Sequence, residues 1–299
     1  SATCTANVTV QDNILPVAIC QGFTAQLDDT GNVLVPANSV DNGSTDNCGI
    51  ADLVLTPNIF TCNDVGNNTV NLDVIDVNGN LTSCSAIVVV EDSVAPAMAC
   101  QNITVQLDDA GNASITPADV DNGSSDACGI VSLTAVPSTF ICANVGNNEV
   151  TLTAVDVNGN VADCMAIVNL QDDIAPTMLC KDIVVQLDDM GDAIIVADDI
   201  NDGTFDNCGI AELTALPNTF TCTNVDDNIV TLTATDVNGN VSTCTFDVIV
   251  EDNEAPTATC AADQTQNTDA GNCTAVVTVV APTTADNSGV ESVTNNFNG

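Results

Sequence analysis

The chain has no Arg, His, Trp or Tyr, and its one basic side chain is Lys181, set against 41 acidic residues. Each absence excludes something. A formal net charge of −40 repels phosphate backbones and anionic bilayers and draws cations, so no nucleic-acid partner is expected. Without His, and with a single Lys, a Ser or Thr nucleophile lacks its usual base. Paired carboxylates can hydrolyse glycosides, but a sugar cleft without Trp or Tyr lacks its stacking platforms, and no enzyme is expected. The same shortage of Lys excludes Lys–Asn isopeptide crosslinks as a general device. Apolar runs such as Ala86–Val90 are far too short to span a bilayer, so no membrane insertion is expected in this segment.

Cysteine, by contrast, is abundant and periodic. Cys20, Cys100, Cys180 and Cys260 are spaced by 80 residues, as are Cys48, Cys128 and Cys208. Cys62, Cys142 and Cys222 follow the same step, with Cys4, Cys84, Cys164 and Cys244, and with Pro16, Pro96, Pro176 and Pro256. A fixed period of this size marks an array of similar units. Three whole copies run over 13–92, 93–172 and 173–252. Residues 1–12 read as the final strand of a preceding copy, and 253–299 as a partial, divergent one, so the sequence reads as a piece of a longer array. The cysteine spacings contain no CxxC and there is no His, which favours disulfides over zinc and implies an oxidising compartment.

Inside a copy the pattern is that of strands. Ile103, Val105 and Leu107 alternate with polar residues, Asp108–Asn112 reads as a turn, and Ala113 and Ile115 resume the alternation. Val150, Leu152 and Ala154 precede Asn158-Gly159, a hairpin signal that suits a type I′ turn. Ala166, Val168 and Leu170 then share one face of the last strand. Short alternating strands with regular turn signals predict an all-β sandwich. About seven strands, an odd number, would place the chain ends at opposite poles and let the units string head to tail as a rod. The first and last strands then start at the same pole, so Cys100 faces Cys164. The expected bridges are Cys20–Cys84, Cys100–Cys164 and Cys180–Cys244, and by elimination Cys48–Cys62, Cys128–Cys142 and Cys208–Cys222. Cys4 and Cys260 would pair outside this segment unless Cys260 bonds Cys273.

The series Asp-Asn-Cys-Gly (46–49), Thr-Ala-Val-Asp-Val-Asn-Gly-Asn (153–160) with a Cys four residues on, and Val-Glu-Asp-Asn-Glu-Ala-Pro (250–256) resembles the hyalin-repeat family. That resemblance implies immunoglobulin-like modules of extracellular adhesion proteins. The acidic, disulfide-bearing version is similar to repeats of giant surface and gliding-motility adhesins of bacteria. The last copy departs from the pattern, with Ser288 where Cys is expected and an added Cys273.

The acidic residues recur at turns that would converge between stacked units. Linker acids are Asp12, Glu91, Asp92, Asp172, Asp173, Glu251 and Asp252. The loops beside the cysteines supply Asp46, Asp121, Asp126 and Asp206, and the last hairpins supply Asp76, Asp156, Asn158, Asp236 and Asn238. Such oxygen-only sets suit Ca²⁺, which takes six to eight oxygen ligands. The competing reading is turn chemistry, since Asp, Asn and Gly favour turns for their own sake. The resulting expectation is a disulfide-stabilised, Ca²⁺-rigidified stalk or filament of a cell-surface adhesin. A module binding a glycan or protein on a surface, and a self-assembling fibre of several copies, are the alternatives. Adjacent repeats of the same chain are the first expected partners.

Overall fold

The computed structural model describes residues 2–294. The first repeat contains β1 (Phe23–Gln26), β2 (Asn32–Leu34), α1 (Ala37–Val40), β3 (Ile50–Thr56), β4 (Ile59–Thr61), β5 (Gly66–Asp76) and β6 (Leu81–Glu91). Four strands form one sheet in the order β1-β6-β5-β3, and β2 pairs with β4 in a second. β5 and β6 form an antiparallel hairpin, and β1 lies parallel to β6 with Phe23 opposite Val88 and Gln26 opposite Glu91. Strict alternation along β5 sends Val70, Leu72 and Val74 inward, where they meet Val88 and Val90 of β6. Phe60 of β4, with Val35 and Val40, closes the other side of this core. The arrangement is an immunoglobulin-like sandwich, and it recurs in the second and third repeats.

Each repeat has six strands, not the expected seven. A short helix takes the place of the missing one. In the second repeat it starts at Pro117, whose fixed φ suits a first helical position, and Asp119 accepts the Thr116 N–H at 2.6 Å. In the first repeat the chain leaving α1 then pairs briefly with the segment before β1, through Cys20 opposite Asp41 and Val17 opposite Thr45. That contact restores the reversal a seventh strand would have supplied, so β1 and β6 still start at one pole.

Cys20 lies just before β1 and Cys84 in β6, and they are bonded with a Cα separation of 5.9 Å. Cys100–Cys164 and Cys180–Cys244 are the same bridge in the next two repeats. The elimination-based pairs are absent. Cys62 bonds Cys128 and Cys142 bonds Cys208, each across 66 residues. Cys48–Cys62, Cys128–Cys142 and Cys208–Cys222 therefore do not form, and Cys4, Cys48, Cys222, Cys260 and Cys273 are unpaired. The reason is distance. Cys48 precedes the seven-residue β3, which spans about 23 Å at 3.3 Å per residue, whereas bridged Cα atoms lie within about 7 Å. Cys62 sits beyond β4 against Gly31, at the pole where the chain leaves for the second repeat.

The chain divides into two compact units, and the division runs through the second repeat. One unit holds the described chain to Val105, with Ala113–Phe140 and Asn144–Leu170. The other holds Gln106–Asn112 and Ile141–Ala143 together with Gln171 onward. Each sulfur bridge between repeats lies wholly inside one unit. No helix among the described residues is long and apolar enough to cross a membrane.

Candidate metal centre at the repeat junctions

Three local motifs build each junction, and the second unit shows them most fully. The first is the last hairpin, Asp236–Asn240. Asp236 is buried, and its Oδ1 accepts the N–H groups of Asn238 and Asn240, both at 2.8 Å. Gly239, at φ 97°, supplies the left-handed step. A type I turn followed by that glycine makes the loop, so the expected type I′ geometry is not adopted: Asn238 and its counterpart Asn158 are not at positive φ. The second motif is a clasp. Asn240 Nδ2 donates to Asp236 Oδ2 at 2.7 Å and to the linker carbonyls of Asp172 and Ile174 at 3.0 and 3.2 Å. Asn160 holds the Asp92 carbonyl in the same way, and Asn80 those of Asp12 and Ile14.

The third motif is the loop Asp206-Asn207-Cys208-Gly209. Asp206 Oδ1 accepts the N–H groups of Cys208 and Gly209 at 2.8 and 3.0 Å. Asn207 Nδ2 reaches the Asp108 carbonyl of the preceding repeat at 3.1 Å and Asp172 Oδ1 at 3.2 Å. The loop lands on the turn of Gly111, where a methyl group would lie 2.6 Å from Cys142 Sγ and 2.9 Å from the Asn207 oxygen. Only glycine permits that approach.

These motifs bring carboxylate oxygens of Asp172, Asp206 and Asp236 within 4.8 Å of one another. Asp172 is only 6% exposed. Its Oδ2, with Asp206 Oδ2 and Asn207 Oδ1, is buried and accepts no hydrogen bond. Two carboxylates at this distance repel by about 3 kcal/mol at an effective dielectric of about 20. No side-chain cation can answer three such junctions, because the chain has one Lys and no Arg. The residues present therefore fit a hard divalent cation. In the preceding junctions Asp92 lies with Asp126 and Asp12 with Asp46, joined in each case by the cysteine of the loop. Asp92 Oδ2 and Asp46 Oδ1 are again buried without a donor.

Other candidates lie apart from these clusters. Asp76 and Asp156, like Asp236, cap their own hairpins. Asn158 and Asn238 contribute backbone N–H groups there, and their side chains are exposed. Asp121 accepts the Ser124 N–H at 2.9 Å in its own loop. Glu91, Glu251 and Asp173 accept side-chain amides of Gln26, Gln186 and Gln106, at 2.7, 2.7 and 2.8 Å. Asp252 takes the place of Asp172 at the next junction, where it meets Ser288 and accepts the Glu254 N–H at 3.1 Å. The sequence reading missed Asn207, Asn47 and Asn287. The signal was present in the Asp-Asn-Cys-Gly and Asp-Asn-Ser-Gly strings, where the Asn passes for a turn residue.

Two electrostatic effects belong to the first junction and the hairpins. Hydrogen bonding from the Cys48 thiol holds the Asp12 carboxyl below its ordinary value, and the same contact raises the Cys48 thiol. Burial pushes Asp156 up, but the Asn160 amide and the N–H groups of Asn160, Asn158 and Gly159 outweigh it and leave the pKa lowered.

No family model matches the chain. It is 31% identical over 268 residues to hyalin of Strongylocentrotus purpuratus, covering 84% of this chain and 22% of that protein. It is 28% identical over 273 residues to hyalin of Lytechinus variegatus, covering 84% and 49%. The chain thus spans between about a fifth and a half of these relatives. Among solved structures, Sidekick-1 immunoglobulin domains 1–4 align at 10% identity and a TM-score of 0.31, over 79% of this chain and 75% of that one.

Proposed function

We propose that this chain is a segment of an extracellular adhesion-type repeat array, serving as the stalk of a surface protein, with three of its junctions closed by calcium and two of those also by a disulfide. The extracellular setting is supported by five disulfides, which persist in oxidising compartments, and by similarity to hyalin over most of the chain. A catalytic role has no support, for want of His, Arg and a cleft chemistry to use them.

The observation that carries the calcium reading is the set of buried, donorless oxygens of Asp172, Asp206 and Asn207. Asp172, Asp206, Asn207 and Asp236 would hold the ion in the second unit, with Asp92 and Asp126 as the counterparts in the first. The ion would supply positive charge to a cluster that the chain cannot neutralise itself. The hairpin clasp orients Asp172, and the Cys142–Cys208 bridge fixes the loop that carries Asp206.

Calorimetric titration of the full chain tests this. We expect saturable calcium binding and a raised unfolding temperature, with Asp172→Asn weakening the affinity of one site about tenfold through loss of a ligand charge. Absence of saturable binding overturns the calcium reading. A stalk segment should show no attachment to cells or glycan arrays, and calcium-dependent attachment would turn the reading to a binding module.

A further inference from the structure

The loops that close the junctions end in Gly49, Gly129, Gly209 and Gly289, and three of the four carry an Asn directly after the leading Asp: Asn47, Asn207 and Asn287. The second carries Ala127 instead. Where the Asn is present, it bonds across the junction. Asn207 Nδ2 donates to the Asp108 carbonyl of the preceding repeat at 3.1 Å and to Asp172 Oδ1 at 3.2 Å. Asn287 Nδ2 donates to the Asp188 carbonyl at 3.0 Å. The Oδ1 atoms of both are buried and accept no hydrogen bond. Asn207 thus clamps its loop to the preceding turn, orients the linker carboxylate and offers an oxygen to the cluster.

Ala127 does none of these. A methyl group at Gly31 would meet the Ala127 Cβ at 3.2 Å, whereas at Gly111 and Gly191 it would meet the backbone oxygens of Asn207 and Asn287 at 2.9 and 3.0 Å. At the second junction the loop therefore presents a side chain, not a carbonyl, to the turn it sits on. Beside it opens a groove of about 480 Å³, lined by Asp126 and Ala127 together with Asp29 of the preceding turn and Val94 of the linker. Carboxylates are fewer there as well. Asp172, Asp206 and Asp236 make three at the third junction, but at the second Asp92 and Asp126 share the cluster with Cys128, whose sulfur is bonded to Cys62. A disulfide sulfur is uncharged and soft, and is no ligand for a hard cation.

We infer that the residue at this one loop position grades the metal sites: the second junction, tethered by Cys62–Cys128 but lacking the amide clamp, takes up calcium only at higher concentration than the third. The inference rests on the calcium reading and adds the order in which the junctions fill. Ligand charge sets the affinity of a calcium site, and groups that hold the ligands in place raise it further. The third junction has the larger charge and the orienting amide; the second has neither. The second is then the junction still able to respond to calcium once the third is occupied.

The test is a calcium titration of the isotope-labelled full chain, followed by NMR. The Gly129 and Gly209 amides donate to Asp126 Oδ1 and Asp206 Oδ1, each at 3.0 Å, so each reports its own junction. We expect the Gly209 signal to reach its midpoint at about tenfold lower free calcium than the Gly129 signal. Ala127→Asn should supply clamp and oxygen and lower the Gly129 midpoint about tenfold, a gain that structural damage does not produce. Asn207→Ala should raise the Gly209 midpoint by a similar factor and leave that of Gly129 in place. Equal midpoints in the parent chain, or a Gly129 midpoint unmoved by Ala127→Asn, overturn the inference and leave the calcium reading standing. A response at neither amide, with no binding by calorimetry, removes the calcium reading and the grading together.

Discussion

A few side chains carry the junction, and the buried hairpin aspartates show how. Asp76, Asp156 and Asp236 each accept several donors, and their pKa values lie below the usual 3.8 in the folded chain. A carboxyl depressed by folding contributes stability above its unfolded pKa and loses it as pH falls through the folded one. The expected outcome is a urea midpoint that is flat near neutrality and drops as pH is lowered from about 4. A midpoint insensitive to acid would contradict these bonds. Glycine offers a second comparison. Gly111→Ala puts a methyl against Cys142 and Asn207 at φ 73°, whereas Gly123→Ala, at φ 94°, meets nothing within 4 Å. Denaturant titration should show a loss of about 2–3 kcal/mol for the first and about 1 for the second. The Asp-Val-Asn-Gly-Asn string was legible as a hairpin. Its second duty was not, because the far reach of Asn160 and Asn240 to a linker carbonyl leaves no mark in local sequence.

At the scale of elements, the strand pattern was readable and the connections between repeats were not. Alternation along Val150–Ala154 and Ala166–Leu170 identified inward faces that are indeed buried. Cys20 and Cys84 could be matched because two strands starting at one pole must lie near each other. Elimination then failed at Cys62, since it treated every repeat as sealed, and only the length of β3 shows that Cys48 and Cys62 occupy opposite poles. The loop Asp206–Gly209 joins a candidate cation ligand, an amide contact and a sulfur bridge within four residues. Replacing Cys142 and Cys208 by Ser should therefore cost about 4 kcal/mol on the chain-entropy model and also weaken calcium binding. Replacing Cys180 and Cys244 opens a loop of similar size, 64 residues against 66. It should cost about as much stability yet leave calcium affinity nearly unchanged. Equal loss of affinity in both variants would show that the loop is not specifically positioned by its own bridge.

For the whole molecule, the five bridges close overlapping loops: 20–84, 62–128, 100–164, 142–208 and 180–244. Lys181 is the one site for trypsin, and it lies inside two of them. Digestion should give a nicked chain that runs as a single species without reductant and as two fragments, 1–181 and 182–299, with it. Separation before reduction would refute the sulfur connectivity. The period and the cysteine count made a crosslinked array legible from the outset. That its crosslinks interleave required knowing which pole each cysteine occupies.

The interleaving limits how far such a chain can lengthen. With every strand pulled apart, the shortest bonded route through a repeat crosses the sulfur from Cys62 to Cys128 and then follows only the backbone from Cys128 to Cys142. That stretch extends to about 48 Å, against about 270 Å for a full period of free polypeptide. Unravelling thus releases about a fifth of the contour, and a tether of this design would go taut early instead of paying out slack.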